Sequence, residues 1–249
     1  MAVRYIHTED IHNTGAAQQV LPYVFELIHP SSVVDIGCGT GSWLQIAKAC
    51  GASSVLGVDG VQVTAAMRCI EAQEFLQHDL TAFIQLPDKY DLAICLEVAE
   101  HLPETAADTL IDTLSASSEI ILFSAAVPGQ GGQEHVNEQG LDYWQEKFRS
   151  RGFFPVDMLR EKFWENKQID WWYRQNMLLY VTLSCAKENN LTVSERLPLL
   201  IHPELLALKV KMLEQVESAN RYLEELVDRE ITHPRFLPAL RKLVKSLVK

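Results

Sequence analysis

Short runs of hydrophobic residues alternate with longer amphipathic segments along most of the chain. After an opening helix over residues 16–29, buried strands are predicted for SVVDIG, SVLGVD, EFLQHDL, YDLAICLEV, EIILFSAAV, FFPVDMLR and MLLYVTLS. The segments between them, such as VTAAMRCIEA and PETAADTLIDTL, carry apolar residues at helical spacing. Parallel neighbours need crossover connections, so the alternation predicts a doubly wound, seven-stranded, mostly parallel sheet with helices on both faces.

A polar stretch, KENNLTVSERLP, separates this α/β region from a helical tail. We therefore predict two parts, residues 1–186 and 187–249. From Leu205 to Leu226 the apolar residues follow the spacing of a heptad seam, with Lys209 as the polar exception. A coiled coil that forms a homo-oligomer and a helix folded back on its own domain both fit this pattern.

The final segment, PALRKLVKSLVK, is basic and amphipathic. It fits a solvated helix with one packed face, and it also leaves open a peripheral contact with an anionic membrane or a protein partner.

Composition narrows the choice of partners. Lys and Arg number 22 against 33 Asp and Glu, a formal net charge of -11, so nucleic acid is not expected as a partner. The five cysteines show no CxxC spacing, which fits a reducing cytoplasm. No apolar run approaches the roughly 20 residues of a membrane-spanning helix.

An aromatic segment, EKFWENKQIDWWYRQN, precedes the last predicted strand. Large aromatic side chains serve cores and binding surfaces alike. The segment is therefore either a hairpin insertion that packs on the sheet edge or a wall that faces the substrate.

The first predicted strand runs into a glycine-rich turn of the pattern Asp35-x-Gly37-x-Gly39-x-Gly41. Glycines let a backbone turn tightly and approach a ligand, and the following helix offers free N–H groups. Such a turn alone would serve NAD, FAD or S-adenosylmethionine. The dinucleotide pattern is GxGxxG, and the spacing here differs from it.

This arrangement, with an acidic residue two positions before the first glycine, resembles the first motif of the Rossmann-like methyltransferases. The resemblance covers approximately residues 33–184 and implies S-adenosylmethionine as cofactor. It places Asp59 on the ribose hydroxyls, and Asp79 with Leu80 at the adenine. The predicted cofactor-binding residues are Asp35, Gly37, Cys38, Gly39, Gly41, Asp59, Gly60, Asp79, Leu80 and Glu97.

The fourth strand runs into Glu97-Val98-Ala99-Glu100-His101, which resembles the EVxEH signature of a group of O-methyltransferases. A hydroxyl is a poor nucleophile and must lose its proton to attack a sulfonium methyl group. Either a histidine acts as general base, or a divalent cation makes the bound hydroxyl more acidic. The predicted catalytic residues are His101, His135 and Glu100.

Four residues form a candidate metal set: Glu97, Glu100, His101 and His135. In the RNA-terminal and ubiquinone-type relatives, the matching residues are associated with a divalent metal. Carboxylates and imidazoles suit Mg, Mn, Fe or Zn, and the sequence does not choose among them. The alternatives are a carboxylate that contacts the cofactor or caps a helix and a buried, hydrogen-bonded imidazole.

The leading hypothesis is an S-adenosylmethionine-dependent O-methyltransferase that acts on a hydroxyl of a sugar, a glycan or a related small metabolite. One alternative is a metal-dependent RNA 3′-terminal 2′-O-methyltransferase, which the acidic balance opposes. An alternative of another class is a noncatalytic protein of the same fold whose tail recruits partners.

Overall fold

The computed structural model describes residues 14–232, and side chains as far as residue 227. One sheet contains the seven strands β1 (Ser32–Ile36), β2 (Ser54–Asp59), β3 (Phe75–Gln77), β4 (Leu92–Leu96), β5 (Ile120–Ser124), β6 (Phe153–Val156) and β7 (Leu178–Thr182). The α-helices are α1 (Gly15–Ile28), α2 (Ser42–Ala49), α3 (Ala107–Ser117), α4 (Leu141–Arg149), α5 (Leu159–Phe163), α6 (Trp171–Asn176), α7 (Leu183–Glu188) and α8 (Pro203–Thr232).

The strands are arranged in the order β3-β2-β1-β4-β5-β7-β6. β7 is antiparallel to both β5 and β6, and the other neighbours are parallel. The chain winds outward from β1 in one direction and from β4 in the other. Ligands of doubly wound sheets bind at the carboxyl edge where this reversal occurs, so the fold itself marks the region beyond β1 and β4.

Alternate side chains of the central strands enter two different hydrophobic cores. Val33 and Ile94 pack with α1 and α2 on one face, whereas Val34 and Ala93 pack with α3 and α4 on the other. Both faces of these strands are therefore covered, which explains their uninterrupted apolar sequences. The predicted seven-stranded, mostly parallel sheet with helices on both faces is confirmed.

One local prediction was wrong, and one of two alternatives is excluded. Residues 63–72 were expected to form a helix, but 61–70 are irregular with one turn at 65–67. Ile70 packs beneath the glycine turn, and Cys69 N–H donates to Thr40 O (2.8 Å), so the segment is drawn across that turn instead of coiling. The aromatic segment is not a hairpin, because it forms the short helices α5 and α6.

The first compact unit extends to His202, and the second begins at Pro203. The predicted boundary lay after residue 186. In the structure the following residues pack on the first unit: Leu191 and Val193 contact its core, and Ser194 N–H donates to Pro155 O (2.7 Å). Loss of these contacts would expose apolar surface of the α/β unit.

The second unit contains α8, a continuous helix of 30 residues. Met212, Val216 and Leu223 of the predicted heptad seam are all about half exposed. The coiled coil stays a prediction, and the basic segment over residues 238–249 lies outside the described residues. No helix in the described part of the chain is long and apolar enough to cross a membrane.

Candidate functional site

The glycine turn leaves β1 in a conformation that side chains disfavour. Gly37, Gly39 and Gly41 have φ values of +90°, +52° and +81°. A Cβ atom on Gly37 would lie 2.3 Å from Val98 Cγ2, and one on Gly41 would lie 2.8 Å from Ile70 Cγ1. Glycine is thus required at Gly37 and Gly41 both for the backbone angle and for space.

Asp59, at the end of β2, fixes the turn. Its Oδ2 accepts the Gly39 N–H (2.8 Å) and its Oδ1 accepts the Val61 N–H (2.8 Å). Each carboxylate oxygen has a second lone pair, so the side chain can still accept hydrogen bonds from a ligand. Asp59 therefore shapes the turn and remains suited to a pair of ribose hydroxyls.

Asp35 lies on β1, and its side chain is almost completely buried. Burial raises the pKa of Asp35 well above its ordinary value, and the negative charge of Asp59 adds to the effect. Two buried carboxyl groups close together favour a cationic partner. The ammonium group of an amino-acid ligand carries the positive charge that would balance Asp35 and Asp59.

Cys38 points into the protein interior. Its Sγ would lie 2.6 Å from a Cβ on Gly57, so the thiol occupies the space that this glycine leaves. Burial, then the charges of Asp35 and Asp59, raises the pKa of the Cys38 thiol. Any contact of Cys38 with a ligand would come from its main chain.

Beyond β3 the site is more open. Asp79 is exposed, and its Oδ1 accepts hydrogen bonds from the Thr81 hydroxyl (2.7 Å) and N–H (2.9 Å), which lower its pKa. Leu80 is half-buried against the core. Gly60 has no atom closer than 3.6 Å to the position of a Cβ. These residues leave room at this end for a ring, and their adenine contact stays a prediction.

Glu97 follows β4 with φ +54°, a left-handed conformation that is uncommon outside glycine. Its N–H is held by Ser124, through the main-chain oxygen (3.0 Å) and Oγ (3.2 Å). Its Oε2 accepts a hydrogen bond from Gln130 Nε2 (2.9 Å). Backbone and side chain are both fixed before any ligand binds.

Three of the four predicted metal ligands come together. One ligand atom from each of Glu100, His101 and His135 lies within 4.8 Å of the others, and Glu97 is not part of this group. Glu100 is fully buried, and its carboxyl group lies beside the main-chain N–H groups of Glu100 and Ala126 and beside the carboxyl group of Glu97. Burial, then the charge of Glu97, raises the pKa of Glu100 well above its usual range.

The two histidine rings meet edge to face, with centroids 4.9 Å apart. Burial, then the neighbouring His135, lowers the pKa of His101 to about 4. At neutral pH His101 is therefore uncharged, and a ring nitrogen can act as a base or a metal ligand.

Glu138 orients His135, and Glu138 was not among the residues predicted from the sequence. The His135 Nδ1 lies 2.9 Å from Glu138 Oε1, and the same carboxylate accepts the N–H groups of Gly129 (2.7 Å) and Gly131 (2.6 Å). Burial raises the pKa of Glu138, but these hydrogen bonds outweigh it and lower the pKa overall. The spacing of three residues between His135 and Glu138 was a signal for this pair.

The aromatic residues of the segment divide into two groups. Phe163 is buried and packs edge to face with Tyr23 (5.7 Å between centroids). Trp171, Trp172 and Tyr173 are half-buried on α6. The structure therefore places part of the segment in the core and leaves part accessible.

Comparison with known proteins gives the family. A family model described as a methyltransferase domain matches residues 10–174, and no curated protein matches the chain.

Among solved structures, the chain is similar to magnesium protoporphyrin IX methyltransferase from Synechocystis PCC 6803 with bound SAH. The sequences are 22% identical, the match covers 72% of this chain and 89% of that protein's chain, and the TM-score is 0.51. The sugar N-methyltransferase KedS8 from Streptoalloteichus sp ATCC 53650 is 14% identical (71% and 93% covered, TM-score 0.50). DesVI from Streptomyces venezuelae is 11% identical (68% and 92%, TM-score 0.50).

At these identities the structural likenesses show a shared fold alone. The match to the family model spans more than half of the chain. The chain therefore belongs to the methyltransferase domain family, and the predicted enzyme class, an S-adenosylmethionine-dependent methyltransferase, is confirmed.

Proposed function

We propose that this methyltransferase transfers a methyl group to a hydroxyl of a sugar, a glycan or a related small metabolite. The observation that carries the proposal is the His135–Glu138 pair beside Glu100 and His101, at the edge of the sheet where the glycine turn also lies. A base held in one orientation by a carboxylate is the arrangement needed to deprotonate a hydroxyl.

The residues of the glycine turn fit S-adenosylmethionine. Main-chain groups of Gly37–Gly41 would face the amino-acid part, Asp35 would favour its ammonium, and Asp59 would accept the ribose hydroxyls. When bound, the cofactor supplies an electrophilic methyl group on a cationic sulfur. The protein's part is to hold this group in line with the acceptor oxygen and to exclude water.

His135 is the proposed general base. With its Nδ1–H donated to Glu138, the Nε2 lone pair is free to take the proton of the acceptor hydroxyl as the new oxygen–carbon bond forms. Glu138 stabilises the resulting imidazolium. Gly132 supports this geometry, since a Cβ there would lie 2.2 Å from His135 Nε2 and block the base.

The same residues also fit a divalent metal, as an alternative to the base, because a metal would occupy the His135 Nε2 lone pair. Two buried carboxyl groups close together, Glu100 and Glu97, are costly when charged, and a cation between Glu100, His101 and His135 would offset that cost. Glu97, the fourth predicted ligand, lies outside this group, and we assign its carboxylate to the cofactor instead. A metal held there would make a bound hydroxyl more acidic.

The acceptor class rests on α6. Half-buried aromatic rings at Trp171 and Trp172 suit the C–H face of a sugar, whose hydroxyls need directional polar partners, whereas Tyr173 packs on Trp43 of the core. An RNA 3′-terminal 2′-O-methyltransferase is the second candidate, because the Glu100–His101–His135 group suits a metal-dependent reaction. The net charge of -11 opposes binding to a phosphate backbone.

The test is transfer of a labelled methyl group from S-adenosylmethionine to a panel of hydroxylated sugars, matched amino sugars and short RNA, with and without a chelator. We expect a hydroxylated sugar to accept the label and His135→Asn to reduce its transfer at least about 100-fold, the range of general-base catalysis. His29→Asn is the matched control, because His29 has φ 45°, which Asn tolerates, and lies outside the site.

Transfer to an amino group or to RNA alone would contradict the acceptor assignment. Full transfer by His135→Asn would contradict the base. Loss of activity with the chelator, restored by one divalent ion, would support the metal, whereas unchanged activity would exclude a requirement for it.

A further inference from the structure

A continuous chain of buried amides ends on Glu97. It begins at the His202 backbone and passes through the last two residues of α6 and the loop after β5. His202 N–H donates to Gln175 Oε1 (2.7 Å), Gln175 Nε2 to Asn176 Oδ1 (3.0 Å), Asn176 Nδ2 to Gln130 Oε1 (2.8 Å), and Gln130 Nε2 to Glu97 Oε2 (2.9 Å).

The direction of this chain is fixed at both ends. A backbone N–H can only donate, so Gln175 must present its oxygen to His202 and its NH₂ group to Asn176. Val127 N–H also donates to Gln130 Oε1 (3.3 Å), which orients the Gln130 amide in the same sense. Every link therefore points a donor towards Glu97.

This series of hydrogen-bonded amides is shielded from water. Gln175 and Asn176 are each 1% exposed and Gln130 is 6% exposed. In such surroundings hydrogen bonds polarise one another, and an amide left unpaired is costly. A reversed link would set two acceptors against each other at Glu97.

We propose that Asn176, supported by Gln175, is a positioning residue that fixes the Glu97 carboxylate together with Gln130. Gln130 donates to Oε2, and the side chains of Ser124 and Asn176 also hydrogen-bond to the carboxylate, so several donors set its orientation towards a ligand. The identity of that ligand, the cationic cofactor, rests on the proposed function. The link from α6 to Glu97 does not.

A double-mutant cycle with Asn176→Asp and Glu97→Gln tests whether the donors of Asn176 orient the Glu97 carboxylate. A carboxylate at position 176 cannot donate to Gln130 Oε1. The Gln130 amide would then rotate, so that its NH₂ group faces position 176 and its oxygen faces Glu97. With an amide at position 97, the reversed chain closes again, because that amide can donate to Gln130. We measure the dissociation constant for S-adenosylmethionine by calorimetry and the melting temperature without ligand.

We expect Asn176→Asp to weaken binding at least about tenfold in the wild-type background, the loss expected for one hydrogen bond to a charged group. In the Glu97→Gln background the same change should alter binding less than about twofold and lower the melting temperature less, as coupling requires. Equal losses in both backgrounds would overturn the proposal.

Ser117→Ala is the matched control. The buried Ser117 hydroxyl donates to Thr113 O (2.7 Å) on α3, away from the hydrogen-bonded amides. Its effect should be the same in both backgrounds. If Asn176→Asp does not fold, Asn176→Ala removes the same donors without a new charge, and its effect on binding should likewise be smaller in the Glu97→Gln background. Should the wild-type protein not bind S-adenosylmethionine, the proposed function fails, and the melting temperatures still decide whether the chain orients Glu97.

Discussion

Substitution of Gly37 by alanine isolates the role of the glycine turn. The φ of +90° would cost about 1–2 kcal/mol for a residue with a side chain. The new Cβ would lie 2.3 Å and 2.7 Å from Val98 Cγ2 and Cγ1, and forcing a methyl group into a packed site costs about 1–3 kcal/mol. Together these terms predict a loss of about 2–5 kcal/mol.

Gly152→Ala separates the two terms. Gly152 has φ +80°, but nothing lies within 4 Å of its Cβ position, so only the backbone cost applies. At about 2–4 °C per kcal/mol for a domain of this size, Gly37→Ala should lower the melting temperature clearly more than Gly152→Ala. Val98→Ala removes both clashing methyl groups, so the Gly37→Ala/Val98→Ala variant should lose less stability than the sum of its single changes.

The assay is thermal unfolding with and without S-adenosylhomocysteine. Gly152→Ala should keep the rise in melting temperature that the ligand causes, whereas Gly37→Ala should lose it. The reasoning is refuted if Gly37→Ala costs no more than Gly152→Ala, or if the changes at Gly37 and Val98 are simply additive.

Three further predictions follow from buried charge and packing. Because burial raises the pKa of Asp35, the free protein keeps a proton there at pH values where an ordinary aspartate has lost it, and an ammonium ligand must displace that proton. Calorimetry should therefore show tighter S-adenosylmethionine binding as pH rises, with proton release, and Asp35→Asn should remove the dependence; a flat profile in the wild type would contradict this. Glu138→Gln should leave binding of S-adenosylhomocysteine unchanged and reduce methyl transfer at least about tenfold, because it weakens the orientation of His135, and unchanged transfer rates would count against that role. A chain ending at residue 202 should show the α/β unit's full melting temperature, whereas one ending at residue 186 should melt lower or fail to fold, since 187–202 pack on the unit; equal melting would refute this.

The sheet and the glycine turn were readable from the sequence because each rests on a local pattern. Buried strands show as short apolar runs, and the turn from Asp35 to Gly41 needs glycines at fixed spacing. The clustering of Glu100 and His101 with His135 also followed, since the ends of β4 and β5 meet at one edge of the sheet.

The errors arose where tertiary contacts override local preference. Residues 63–72 carry helical spacing, but Ile70 is needed beneath Gly41 and Gly57, and that position fixes an irregular path. The aromatic segment likewise reads equally well as strand or helix, because its composition serves either.

The amides that hold Glu97 gave no signal at all. Gln130 and Asn176 are distant in sequence, and polar residues of this kind normally lie at the surface. Their burial depends on the fold that brings α6 against the loop after β5. The assembled structure places half-buried aromatic rings at one end of this helix and buried amides at the other.

The central claim is that the carboxyl edge beyond β1 and β2 holds S-adenosylmethionine. A crystal structure of the protein grown with S-adenosylhomocysteine tests it most directly. We expect ribose hydroxyls within hydrogen-bond distance of Asp59 and the amino-acid part over Gly37–Gly41. Ligand density elsewhere, or a turn that remains empty at saturating ligand, would contradict it.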